Sequence, residues 1–266
     1  MPMPLPPNTD PWDPPPPPPP GDPVPVPPPD DLLKIFPKDH RFRLRDRDSG
    51  QEIQPERIFP YLLDRAPWDW RPCMWTVRYL LPNGEKTVRP WIWARQEGED
   101  DDDARLRMKG LPRDFARPLY NLYRLEKTFA EAGAAPVLIV EGEKCAESVY
   151  LQDGSGGFPR YAFISDRFFG GIGFVSVTWS GGCASVAKTD WSPLARAGQI
   201  VIWPDADDGG MKAAQLIAGT LMELRPGGPP PFVMDFSGKG KPKGWDIADW
   251  FGELERGSAG MEGGSQ

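Results

Sequence analysis

Val137-Leu138-Ile139-Val140-Glu141-Gly142-Glu143-Lys144-Cys145-Ala146-Glu147-Ser148 is the stretch from which the rest of the chain is read. An apolar, mostly β-branched run this short suits a buried strand and is too brief for a buried helix. It stops at an acid and a glycine, after which Glu143 to Leu151 is compatible with a helix. The same order returns downstream. Gln199–Trp203 is a second apolar run, followed by Asp205-Ala206-Asp207-Asp208-Gly209-Gly210 and a helical pattern from Met211 to Leu224. Phe174–Trp179 and Phe232–Phe236 are further strand candidates, and Asp246–Phe251 reads as a short helix. Strands that alternate with helices predict an α/β fold built on a parallel, Rossmann-like sheet flanked by helices. Ligands on such a sheet lie beyond the carboxyl ends of its strands.

Two of those ends carry acids. Glu141 closes the first strand, and Asp205 and Asp207 follow the later one. Strands remote in sequence can be neighbours in a parallel sheet, so the three carboxylates can meet. Clustered like charges repel unless a cation lies between them, and oxygen-only donors suit magnesium or manganese. Taken singly, the Asp-Gly block is equally a turn or helix cap, and Glu141-Gly142 a helix start. Matched at two strand ends, they favour function. Lys144, in the first turn after Glu141, is placed to bind phosphate at a helix start.

The chain has 266 residues and a net charge of −7. Seventeen of its 35 prolines precede Asp31, with seven consecutive ones at Pro14–Pro20, so residues 1–30 are expected to form an extended tail. Residues 31–135 are expected to form a smaller α+β subdomain. Within it, Met74–Leu81 and Lys86–Arg95 flank Pro82-Asn83-Gly84-Glu85 and predict a β-hairpin. Arg41, Arg43, Arg45 and Arg47 alternate, which on a strand sets four guanidinium groups on one face. Lys and Arg outnumber Asp and Glu between Asp31 and Ala130, although the acids concentrate in one run from Glu97 to Asp103. Outside that run this half is basic. Trp91, Trp93, Arg95, Arg105, Arg107, Lys109, Arg113 and Arg117, with Lys188 downstream, are the candidate nucleic-acid contacts: cations for phosphates and aromatic faces for bases. At least half of the tryptophans are expected in the core.

No apolar stretch is long enough to cross a bilayer, and no secretory signal is apparent at the start, which leaves the cytoplasm as the expected compartment. Three scattered cysteines and one histidine make neither a disulfide framework nor a zinc ribbon. No GxxxxGK[ST] phosphate loop is present.

The segments VLIVEGEKCAES (137–148), TWSGG (178–182), WSPLARAGQIVIWPDADDGG (191–210) and KGWDIADW (243–250) resemble the Toprim domain of phage and mobile-element DNA primases. The likeness runs from about Trp68 to Phe251 and implies a Toprim catalytic domain over 136–251, with a flexible end at 252–266. It implies that Glu141 handles a hydroxyl proton and that Asp205, Asp207 and Glu141 hold magnesium, with Asp246 as a further ligand or, equally, a helix cap. It also implies a single-stranded DNA template, ribonucleoside triphosphates as substrates and a separate replicative helicase. Replicative primases of bacteria have an Asp where this chain has Cys145. The glycine-rich stretch from Asp153 to Gly173 reads as an insertion. A Toprim nuclease and a non-catalytic replication accessory protein are the alternatives.

Overall fold

A computed structural model describes residues 22–34, 39–46, 49–151 and 160–262, with side chains up to Arg256. The strands are β1 (Val24–Pro25), β2 (Leu44–Arg45), β3 (Glu52–Ile53), β4 (Pro55–Leu63), β5 (Arg71–Leu80), β6 (Lys86–Arg95) and β7 (Arg105–Arg107), followed by β8 (Val137–Val140), β9 (Val175–Val177), β10 (Ile200–Trp203) and β11 (Phe232–Val233). The helices are α1 (Leu122–Ala132), α2 (Glu143–Ser148), α3 (Arg160–Phe169), α4 (Asp208–Leu224) and α5 (Ile247–Glu262).

The second half is the expected parallel sheet, ordered β11-β10-β8-β9. Its short strands are buried along their length, and their period-2 alternation sorts side chains between two faces. Val137, Ile139, Val175, Val177, Ile200 and Ile202 pack with α1 and α4. Leu138, Val140, Val201 and Trp203 point the other way, toward α2, α3 and α5. Part of the supposed insertion is therefore core. In α3, Ile164 and Phe169 are buried, Tyr161 stacks on Phe174 at 4.5 Å, and Phe168 meets Trp203 edge-on. Residues 152–159 lie outside the described residues.

The first half is antiparallel, ordered β1-β6-β5-β4 with β7 also on β6. The β5–β6 hairpin turns at Gly84, whose φ of 82° a side chain would resist. One face of this sheet, with Phe42 and Leu32, buries Trp75, Val77, Tyr79 and Trp91. The opposite face contributes Phe59, Tyr61, Met74 and Ile92 to the same core as Leu138 and Val140. Residues 22–30, assigned to the tail on composition, lie on the sheet: Val24 and Pro25 pair with β6, and Arg71 bonds the Pro28 carbonyl. Residues 1–21 lie outside the described residues.

The alternating arginines do not form one cationic face. Asp39 caps a 3₁₀ turn at His40–Phe42 and binds Arg41, while Arg43 pairs with Glu52 and Arg45 donates to the Gly50 carbonyl. Local acids and carbonyls thus take up these arginines, and only Leu44–Arg45 of the segment runs as a strand, paired with β3. Arg47 lies outside the described residues. Among the described residues no helix is long and apolar enough to cross a membrane.

Candidate active site

Adjacent strands put the acids together. Val140 at the end of β8 is in register with Trp203 at the end of β10, so Glu141 and Asp205 emerge side by side. Gly142, with φ 88°, turns the chain into α2, and its N–H donates to the Thr178 hydroxyl beyond β9. Asp207 caps α4 by accepting from the Gly210 N–H at 2.9 Å. Asp246 and Asp249 exchange backbone-to-carboxylate hydrogen bonds at the head of α5. Capping and ligand roles do not compete here, because a carboxylate that caps with one oxygen keeps lone pairs for another partner.

The electrostatics are those of a crowded acidic site. Burial first, and then the charges of Glu141, Asp246, Asp207 and Asp249, push the Asp205 carboxyl up to about 8. Burial and Asp207 raise that of Glu141, with the Asp205 backbone N–H partly offsetting them. Glu141 Oε2 is buried with no hydrogen-bond partner, an arrangement that costs free energy unless something supplies the missing contact. Among the described residues no three His, Cys, Asp or Glu side chains are already drawn in to the spacing of a metal cage. The donor set still fits a hard divalent cation: oxygens only, one of them orphaned, and repulsion that a cation would relieve. Burial and the neighbouring Asp246 push the Cys145 thiol up, which disfavours the thiolate a nucleophile needs.

A cleft of about 380 Å³ lies against these acids, walled by Glu141, Lys144, Asp246 and Asp249 on one side and by Phe59, Thr76, Arg78, Lys86 and Val88 of the antiparallel sheet on the other. Arg78 pairs with Val88 across the hairpin, and Leu80 with Lys86. Thr76 and Arg78 alternate with the buried Trp75, Val77 and Tyr79, so β5 shows the cleft its polar positions. Sequence reasoning missed Arg78 and Lys86. Their signal was present as period-2 polar residues on paired hairpin strands, but which layer that face would meet is a tertiary fact.

The other basic candidates go elsewhere. Arg95 pairs with Asp101, Arg107 with Glu99 and Lys109 with Asp22, while Arg105 and Arg113 are exposed. None of these five lines the cleft. The acidic run folds back on the arginines beside it and neutralises part of the basic surface expected there. Trp91 is buried against Phe42 and donates to the Tyr79 hydroxyl, which leaves it no free face for a base, while Trp93 packs on the same cluster and stays partly exposed. Arg117 stays near the acids. It donates to the Ser185 hydroxyl, its Nε is buried without a partner, and it borders the Gly181-Gly182 turn beside Glu141. Lys188 is exposed, and its carbonyl accepts the Arg117 N–H.

Comparison with known proteins returns nothing. No family model matches the chain, no curated protein matches it, and no solved structure matches its fold. The chemistry of the site rests on its own geometry.

Glu143 has a bracing role that the sequence did not reveal. It is almost wholly buried and accepts from the Tyr61 hydroxyl at 2.6 Å, and Tyr120 donates to Glu147 one helical turn on. The Tyr61 bond ties α2, which carries the cleft's first wall, to the antiparallel sheet that forms its second, and the Tyr120 bond ties it to the segment before α1. Tyr61→Phe is expected to cost about 1–3 kcal/mol by stranding a buried carboxyl oxygen. In urea the unfolding midpoint should fall with an unchanged slope; an unmoved midpoint would mean that the bond is idle.

Proposed function

We propose that residues 136–251 form a Toprim-type catalytic domain and that the protein is a magnesium-dependent DNA primase, joining ribonucleotides into short RNA primers on single-stranded DNA. The observation that carries this reading is the pairing of Glu141, with its orphaned buried oxygen, and Asp205 at neighbouring parallel strand ends. The four sequence segments that resemble primase Toprim domains supply Glu141, Asp205, Asp207 and Asp246 to that site.

Each residue has a task in nucleotidyl transfer. Burial raises the proton affinity of Glu141, so its carboxylate is a stronger base than an exposed one and suits removal of the proton from an attacking 3′ hydroxyl. Asp205 and Asp207, with Glu141 and Asp246 beside them, would hold magnesium, which supplies charge neutralisation for a triphosphate and alignment for the attacking oxygen. Lys144 and Lys86 bring positive charge to the cleft, with Arg78, which is paired with Glu56, beside them, where phosphates of the strand would lie. Strand separation falls to a separate replicative helicase, and the expected compartment is the cytoplasm.

The test is incubation with mixed-sequence single-stranded DNA, magnesium or manganese and labelled ribonucleotides, alongside an Asp205→Ala plus Asp207→Ala variant. Short RNA made only by the unmodified protein is the expected result. Cleaved DNA without synthesis would establish a nuclease instead. No product, even with a cognate helicase present, would overturn the primase and favour an accessory role.

A further inference from the structure

The antiparallel sheet ends on β4, which pairs with β5 on one side and, among the described residues, with no strand on the other. An open edge of nine residues invites pairing with another chain, and natural edges are blunted or covered. Pro60 blunts this one in mid-strand, because it has no N–H to offer. Along the edge runs a groove of about 850 Å³. Leu33, Ile58, Pro60 and Leu62 give it apolar walls, and Trp70 and Tyr120 give it aromatic ones. Leu33 is 43% exposed. Trp70 lies at the Leu63 end of β4, where its N–H donates to the Leu63 carbonyl. It holds a φ of 60°, rare for a bulky residue, and its ring stands edge-on to Tyr123 at 5.1 Å. Arg57, toward the other end of β4, also lines the groove and is exposed.

We propose that this groove receives the chain's own proline run, Pro14–Pro20, laid along β4 as a polyproline II helix with Asp13 against Arg57. The docking is independent of the chemistry at the acidic site. Grooves lined by aromatic rings accept such helices because a proline run is already extended and loses little entropy on binding. Proline carbonyls can accept from outward N–H groups of β4, yet the run has no N–H of its own, so it covers the edge without creating a new one. Reach and charge both fit. Val24 pairs with Arg95, and Leu63 with Arg71. The register of Trp75 with Trp91, continued along both strands, sets Arg71 opposite Arg95. Val24 and Leu63 thus lie on one row across the sheet, three strand spacings or about 14 Å apart. Pro18 precedes Val24 by six residues, a span of about 19 Å in polyproline II, so it reaches the Trp70 end of the groove. From there, the five residues back to Asp13 cover about 16 Å. The five from Leu62 to Arg57 on β4 cover about 17 Å, which brings the acid to the arginine.

The test uses the full chain, a second full chain in which each of Pro14–Pro20 is changed to serine, and a fluorescent peptide with the sequence of residues 10–21. Fluorescence anisotropy reads the binding. The tethered run competes at high effective concentration, so the peptide should bind the serine variant at least tenfold more tightly than the unmodified protein. Arg57→Glu and Leu33→Ser, both at exposed positions where folding is preserved, should each weaken that binding several-fold when added to the serine variant. Equal affinity for the two full chains would show a groove open to the prolines of another protein and overturn the docking in cis. A peptide that binds neither chain, or one indifferent to both groove substitutions, would overturn it as well. A serine variant that ignores the peptide and dimerises in sedimentation would assign the edge to a second copy of the chain instead.

Discussion

Glu141→Gln is expected to lower ribonucleotide incorporation by about 10²–10⁴-fold, the usual contribution of a positioned base, while raising the thermal stability of the metal-free protein. The amide keeps the size and shape of the side chain and removes its charge. The charge is the liability: burial and Asp207 both disfavour the ionised form in the folded chain, and Oε2 has no donor to offset them. Functional sites commonly hold such strained groups at a cost in stability. Primer synthesis and thermal unfolding, the latter in chelator, measure the two effects on one preparation. A lowered unfolding temperature would show that the carboxylate is supported by a contact the amide cannot make, and the assignment of Glu141 as an unsatisfied base would fail.

The second large effect is a dependence of stability on pH that Asp205 controls. Its carboxyl titrates near 8 in the folded protein and near 4 in an unfolded chain. Between those values the folded state holds a proton that the unfolded state has released, so unfolding stability falls as pH rises. The contribution is fully present below about pH 4 and gone above about pH 8. Because the carboxyl is only partly shielded from water, the amount is about 1–3 kcal/mol rather than the full value of the shift. Urea midpoints at pH 5 and pH 9 should differ more in the unmodified protein than in Asp205→Asn. Magnesium added at pH 9 should narrow that difference by stabilising the unmodified protein more than the variant. Equal pH profiles for the two proteins would mean that Asp205 is not in the acidic cluster.

The parallel sheet could be read from the chain because each strand is a short apolar run bounded by turn-forming residues. The acids at its edge follow from the same grammar: Glu141 comes directly after β8 and Asp205 one proline after β10, and only the register of the two strands was needed to bring them together. What escaped was whatever depends on contact between remote segments. Arg78 reaches the cleft because the antiparallel sheet lies over α2, and nothing near Arg78 in sequence announces that. Glu143 meets a tyrosine 82 residues away. Arg95 and Arg107 failed as cleft residues for the opposite reason, since their partners Asp101 and Glu99 are so close in sequence that local pairing wins.

The Tyr61–Glu143 bond sits in a core shared by both sheets. A jaw welded at its root cannot widen by swinging. The spacing between Arg78 on one jaw and Glu141 on the other is thereby a fixed gauge, set by the core behind it rather than by whatever enters the cleft.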